Sequence, residues 1–324
     1  MMSAKRWIAK YWFMSALALL TLLTLADSSQ WTASAGRYLK AHAGPEIVIF
    51  SIFFFSGLAL ETALLRKGLT DIRASLAALA VVFGFSPLLA LGFELLHLDI
   101  QIITGLFLVA VMPSTLSTGV VMTKSSGGNM AHALFITIVA NTLAVFTIPV
   151  MLSFLVGQVG AARSIYIDKA AIMLKMAWLV LLPLALGMVL QYIGRARIAV
   201  LQHHAQLINQ LLVLAIVWMG ICQSRGMLIA GKSAIAPIAA VTATFHLLLV
   251  ILALALSKIL HIGPGRRESV VFMGGQKTLP LSVILQVSIF PDYALALVVC
   301  VVHHVLHLIM DAYLVEKLKS HNRL

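Results

Sequence analysis

Residues 111–119 read Val-Met-Pro-Ser-Thr-Leu-Ser-Thr-Gly, and residues 273–280 read Met-Gly-Gly-Gln-Lys-Thr-Leu-Pro. Each stretch interrupts an apolar run with prolines, glycines and hydroxyls. A bilayer core supplies no water to unpaired backbone groups, so a helix broken there must turn its exposed ends toward protein, ion or substrate. Broken spans at matching places in two halves of a chain point to a transporter site.

The composition around these breaks is that of a membrane chain. Of 324 residues, 61% are hydrophobic and 10% charged, and the mean hydropathy is +1.02, far above a soluble domain. The formal charge of +12 sits in short loops, as it would against an anionic membrane face; no nucleic-acid partner follows from it. Cys222 and Cys300 both fall inside apolar runs, so neither a disulfide framework nor a cysteine metal site is expected.

Apolar runs long enough to cross about 30 Å of hydrocarbon number about ten, at roughly 7–26, 46–65, 74–96, 101–123, 129–156, 169–193, 206–224, 233–257, 268–290 and 293–316. Placing the N-terminus inside sends Lys5, Arg6, Lys10, Arg66, Lys67, Arg73, Lys124, Arg195, Arg197, Lys258, Arg266, Arg267, Lys317, Lys319 and Arg323 to the cytoplasm. Only Arg37, Lys40, Arg163, Lys169, Arg225 and Lys232 are left outside. This bias predicts a multi-pass protein of a bacterial-type cytoplasmic (inner) membrane with both termini cytoplasmic. Lys5-Arg6, an apolar run and Ala33-Ser34-Ala35 imitate a signal peptide, but Asp27-Ser28-Ser29-Gln30 is too polar and long for a cleavage region. An uncleaved first span is the better reading.

Ten spans divide as five plus five, and an odd number per half obliges the second half to enter in the opposite orientation. The expected fold is therefore all-α and integral to the membrane. It forms a single polytopic domain over 1–324, with a first five-helix repeat over 1–160 and an inverted second repeat over 161–324. The fourth and ninth helices are discontinuous, each fourth in its own half.

In the first break, Pro113 withholds a backbone donor and Gly119 adds freedom. Ser114, Thr115, Ser117 and Thr118 lie between them, able to satisfy freed carbonyls, cap a half-helix or coordinate a hard cation. A proline kink repaired by hydroxyls, without any ligand, is the competing reading. In the next span Thr137 and Asn141, four apart, share one helix face with the break close by; they serve either a site or plain helix-to-helix bonding. In the second break Gly274-Gly275 and Pro280 flank Gln276, Lys277 and Thr278. A lysine at mid-span costs roughly 2.5 to 3.5 kcal/mol on insertion scales. Lys277 is read as a fixed cation that binds an anionic substrate or stands in for a coupling ion, against the alternative of a lysine tying loose carbonyls together.

Met-Pro-Ser-Thr-Leu-Ser-Thr-Gly-Val-Val-Met-Thr-Lys-Ser-Ser-Gly-Gly-Asn (112–129), Phe-Thr-Ile-Pro (146–149) and Gly-Gly-Gln-Lys-Thr-Leu-Pro-Leu (274–281) resemble the bile acid:sodium symporter superfamily, specifically its bacterial SBF-like branch. Phe54-Phe55-Ser56-Gly57-Leu58-Ala59-Leu60, Gln210-Leu211-Leu212-Val213-Leu214 and His303-His304-Val305-Leu306-His307-Leu308 are similar too, so the likeness runs over nearly the whole chain. It implies a core of crossed fourth and ninth helices and a panel of the first, second, sixth and seventh, with substrate bound between. It also implies sodium behind the crossing, its ligands falling on Thr118, Gly119, Thr137 and Gln276. The family's ninth-helix Glu falls instead on about Phe272, its fourth-helix Asn on Gly119, a fifth-helix Ser on Ala133 and a third-helix Gln on about Leu79. Glu61, Glu94 and Asp311 fall near span ends, so no acidic side chain is expected at mid-depth to offset a sodium ion, and Lys277 adds like-charge repulsion.

His304, His307 and Asp311 share one face of the tenth span at i, i+3 and i+7, beside His303. Imidazole and carboxylate together suit a transition metal or a proton relay, and intramembrane histidines equally serve as plain bonding partners. No metal site and no cofactor is expected beyond the sodium ion that the resemblance implies.

A membrane-embedded enzyme would need catalytic residues at depth, and the chain has no His-Glu-x-x-His, paired intramembrane Asp or Asp-rich motif. The expectation is a secondary transporter for a small organic anion working by alternating access, without an obligatory protein partner. A proton- or metal-linked transporter using His303, His304 and His307, or a channel, is the alternative.

Overall fold

The computed structural model describes residues 4–60, 71–159, 167–194, 198–230 and 232–321, and no strand occurs among them. Arg66, Lys67, Arg163, Arg195, Arg197, Arg323 and Glu61 lie outside the described residues. Thirteen helical segments follow in order: α1 Ala4–Ala26, α2 Trp31–Ala41, α3 Gly44–Ala59, α4 Ile72–Leu96, α5 Ile100–Ala110, α6 Thr118–Ser125, α7 Met130–Gln158, α8 Lys169–Gly194, α9 Ala199–Ala230, α10 Ile235–Ile259, α11 Arg267–Gly275, α12 Leu279–Ile289 and α13 Ala294–His321. Both α4 and α8 contain a π-helical turn, at Val81–Phe85 and Ala177–Leu181.

Short acidic and amide side chains start several of these helices. Asp71, Asp99, Asn129 and Asp168 accept the backbone N–H of Ala74, Gln101, His132 and Ala171, pairing donors that have no intrahelical partner. Two of the expected spans are broken as the sequence predicts: α5 stops at Ala110 and α6 begins at Thr118, while α11 stops at Gly275 and α12 begins at Leu279. Pro280 sits in the first turn of α12, where its missing N–H and fixed φ disturb nothing.

Seven helical runs among the described residues are long and apolar enough to cross a bilayer, or eight if α2 and α3, bent by 74°, count as one. Ser15–Ala26 and Ile100–Ala110 are shorter apolar stretches. The chain is thus an all-helical, multi-pass membrane protein. The run Arg267–Ile289 qualifies across its break, and 94% of its apolar window is buried inside the molecule, so the second break is enclosed by other helices rather than by lipid.

The helices pack in two groups. In the first, α3 lies against α8 and α9, and α9 against α1 and α2. Glycines bring two of these backbones together: a Cβ at Gly57 would stand 2.2 Å from the Leu184 carbonyl oxygen, and one at Gly187 would stand 2.1 Å from that of Phe54. Small residues permit such approach where lipid gives helices no hydrophobic reason to associate. In the second group α13 packs on α5 and α10, and α11 packs on α10 and α4.

Candidate functional site

The two breaks meet. The backbone N–H of Thr278 donates to the Pro113 carbonyl at 3.1 Å, pairing two groups that the interruptions set free. Around this bond the side chains form a connected network. Thr115 Oγ1 accepts the Gly119 N–H at 2.9 Å, capping α6, and donates to Gln276 Oε1 at 2.7 Å. Thr118 Oγ1 lies 2.9 Å from the same Gln276 oxygen. A Cβ on Gly119 would come within 3.0 Å of Met273 Sδ and 3.2 Å of Gln276 Oε1, so glycine is what lets the amide reach the start of α6.

On its other side Gln276 Nε2 donates to Asp311 Oδ2 at 2.8 Å, and Asp311 Oδ1 lies 3.0 Å from His246 Nε2 on α10. This corrects the expectation of no carboxylate at depth. Asp311 is 1% exposed, because α13 continues to His321, beyond the expected end of the span near 316, which puts position 311 well inside the helix. A buried carboxylate is tolerated only when it is bonded, and two partners from two other segments bond this one.

Lys277, 2% exposed, points away from that network. Its Nζ donates to the carbonyls of Val82, Ala110 and Met112 at 3.1, 3.2 and 3.1 Å. Hydrogen bonds to a charged donor are worth roughly 1.5–3 kcal/mol each, enough together to offset the roughly 2.5–3.5 kcal/mol of a mid-membrane lysine. The geometry is that of a lysine tying freed carbonyls together.

A small cleft opens between the helix groups. One wall is Phe13, Ile52, Phe53, Ser56, Asn209, Gln210 and Val213; the other is Thr115, Leu116, Ser117, Thr118, Thr278, Leu279, Pro280 and His304. The first turns of α6 and α12 both line it, and its lining includes no Asp, Glu, Lys or Arg. Helix N-termini carry unpaired N–H groups and about half a positive charge each, which favours an anion.

Of the residues singled out in the sequence, Thr115, Ser117, Thr118 and Thr278 face this cleft, and Gln276 joins it to Asp311. Ser114, Thr137 and Asn141 cluster off the lining: Asn141 Nδ2 donates to the carbonyls of Ser114 and Thr137 at 3.3 and 2.9 Å. Ser114 Oγ and Asn141 Oδ1 are buried without a hydrogen-bond partner. In the histidine cluster, His304 Nδ1 and His307 Nε2 lie 3.0 Å apart and His307 Nδ1 is 3.8 Å from Asp311 Oδ2. Among the described residues no three His, Cys, Asp or Glu side chains gather so as to hold a metal ion.

Sequence reasoning assigned no role to His246, Ser56 or Asn209. Asn209 Nδ2 donates to Ser56 Oγ at 3.0 Å across α9 and α3, and Asn209 Oδ1 is without a partner. An intramembrane histidine and asparagine were the available signals, since polar groups at that depth are functional or bonding residues by default.

Paired discontinuous helices, a buried polar crossing and a cleft between two helix groups define a membrane transporter. The family model for SBF-like CPA transporters matches residues 11–320. The chain belongs to that family, within the bile acid:sodium symporter superfamily, a group of transporters rather than enzymes. It is 29% identical over 285 residues to a probable chloroplastic sodium/metabolite cotransporter, BASS4, of Oryza sativa subsp. indica, covering 82% of this chain and 67% of the relative. To the protein of that name in Arabidopsis thaliana it is 27% identical over 281 residues, covering 82% and 64%. To sodium/bile acid cotransporter 7 of Xenopus tropicalis it is 23% identical over 329 residues, covering 97% and 93%. The chain thus spans about two thirds of the length of the chloroplast relatives.

Proposed function

We propose that the chain moves a small organic anion across a bacterial-type cytoplasmic membrane by alternating access. In this reading α1, α3, α8 and α9 form a panel, and the other spans form a core that moves against it. Ten spans make two inverted repeats over 1–160 and 161–324, with both termini cytoplasmic. The observation that carries the anion is the cleft: the first turns of α6 and α12 both line it, and no charged side chain competes there. The substrate charge is met by helix ends, and Lys277 acts on the crossing from behind.

Sodium is named in the relatives, and a sodium ion travelling with the anion fits the polar atoms behind the cleft. Ser114 Oγ and Asn141 Oδ1, both unpartnered, and the Thr137 hydroxyl are hard oxygen donors of the kind such a cation takes. Asp311 contributes a negative charge to the same crossing, through Gln276 and Thr115.

The test is a melting screen of the purified chain over organic anions with and without sodium, since a specific ligand raises the apparent melting temperature. Uptake of the best anion into proteoliposomes follows. Thr115→Val is expected to depress that uptake, and no stabilising anion, or equal uptake by Thr115→Val, would overturn the reading.

A further inference from the structure

We infer that Lys277 is a tethered cation: its ammonium fills a three-carbonyl cation site at the first break, and that site accepts a free monovalent cation once the lysine is removed. The acceptors come from irregular backbone. Val82 lies in the π turn of α4, Ala110 ends α5, and Met112 stands in the break itself. Carbonyls at the end of a helix lack intrahelical partners and carry the negative end of its dipole. The Ala110 carbonyl already takes the Ser86 hydroxyl at 2.8 Å and still receives the lysine.

Three acceptors within 3.2 Å require three donors. An ammonium has three N–H bonds and a neutral amine two, so the geometry calls for the charged form. No carboxylate among the described residues pairs with it within salt-bridge distance. Rings of carbonyl oxygens are also how proteins hold free monovalent cations in place of their hydration shell. The lysine therefore occupies an ion's position by covalent attachment, and the position is filled in every turn of the cycle. A dissociable cation that travels with the substrate must bind elsewhere, at the Ser114 and Asn141 oxygens. This last step rests on the transport reading, whereas occupancy of the carbonyl site does not.

The experiment uses the full chain in detergent without substrate, followed by tryptophan fluorescence on heating. Wild type and Lys277→Ala are compared in choline chloride and ammonium chloride at equal ionic strength. Wild type should melt alike in both salts. Lys277→Ala should melt lower than wild type in choline and recover saturably with ammonium, which restores the missing charge and donors. Equal melting of Lys277→Ala in the two salts would overturn the inference. If the alanine variant does not survive extraction, Lys277→Met decides. It fills the path with an uncharged chain, so it should melt below wild type in both salts without ammonium rescue; melting as high as wild type overturns the inference. Transport is not measured, so a failed uptake assay leaves this result standing.

Discussion

Gln276 and Asp311, thirty-five positions apart, are joined by a 2.8 Å hydrogen bond from the amide nitrogen to the carboxylate. The same amide accepts Thr115 and Thr118 through its oxygen, so one side chain ties the first break to the last helix. Asp311→Ala should take the carboxylate from one Gln276 N–H, whose nitrogen keeps only Met122 Sδ at 3.0 Å, and from His246 Nε2, costing roughly 1–3 kcal/mol for each buried group left short of an acceptor. Asp311→Asn keeps an acceptor and should lose less. Melting curves that rank the two variants the other way would remove Asp311 from this role.

Gly119→Ala should lower anion uptake while leaving the protein well folded. Its methyl would press on Met273 Sδ at 3.0 Å, Thr115 Oγ1 at 3.1 Å and Gln276 Oε1 at 3.2 Å, displacing hydrogen bonds worth roughly 0.5–1.5 kcal/mol each. Gly92→Ala in α4 meets nothing within 4 Å and should be neutral or stabilising by about 0.4–1 kcal/mol. Uptake measured for the two glycines side by side checks the contrast.

Gly187→Ala tests the seam between α3 and α8. A Cβ there would overlap the Phe54 carbonyl oxygen at 2.1 Å, and backbone cannot swing aside as a side-chain tip can. Overpacking of this kind costs about 1–3 kcal/mol. Loss of the monodisperse species on gel filtration, or a clearly lower melting temperature, is the expected result.

A pH effect is expected where Asp71, capping α4, faces Arg266 at 2.7 Å. Burial pushes the Asp71 carboxyl up, but the Ala74 N–H and the Arg266 guanidinium outweigh it and hold the group below its ordinary value. A carboxyl depressed in the folded state stabilises above its unfolded pKa and loses that contribution as pH falls through the folded value. Wild type should therefore exceed Asp71→Asn in melting temperature at neutral pH, with the gap closing on acidification. A gap that widened in acid would reverse the assignment.

The breaks were legible because Pro, Gly and hydroxyls in apolar runs have one physical meaning at membrane depth. Thr115, Thr118 and Gln276 followed from that, since they lie inside the interruptions. Asp311 was misread because hydropathy stops counting a helix where charged residues begin, near Glu316, while α13 continues to His321. The direction of Lys277 was open in the sequence because its acceptors are main-chain atoms. The π turn that contributes the Val82 carbonyl has no mark in Val81-Val82-Phe83-Gly84-Phe85. His246 showed in the sequence only as a polar residue in an apolar run: its partner lies sixty-five positions away, and a pairing at that distance exists only in the folded molecule.

In the alternating-access cycle proposed above, the bond from Thr278 N–H to the Pro113 carbonyl limits how many independent displacements the two interrupted helices can make. A hinge that flexed one interrupted helix alone would have to shear that bond together with the lysine contacts to Ala110 and Met112. Under that proposal the cheaper trajectory carries both interruptions as one rigid rotor, with a single coordinate describing where the cargo points. Spectroscopic rulers on α6 and α12 should then keep a constant mutual distance while both shift relative to α3.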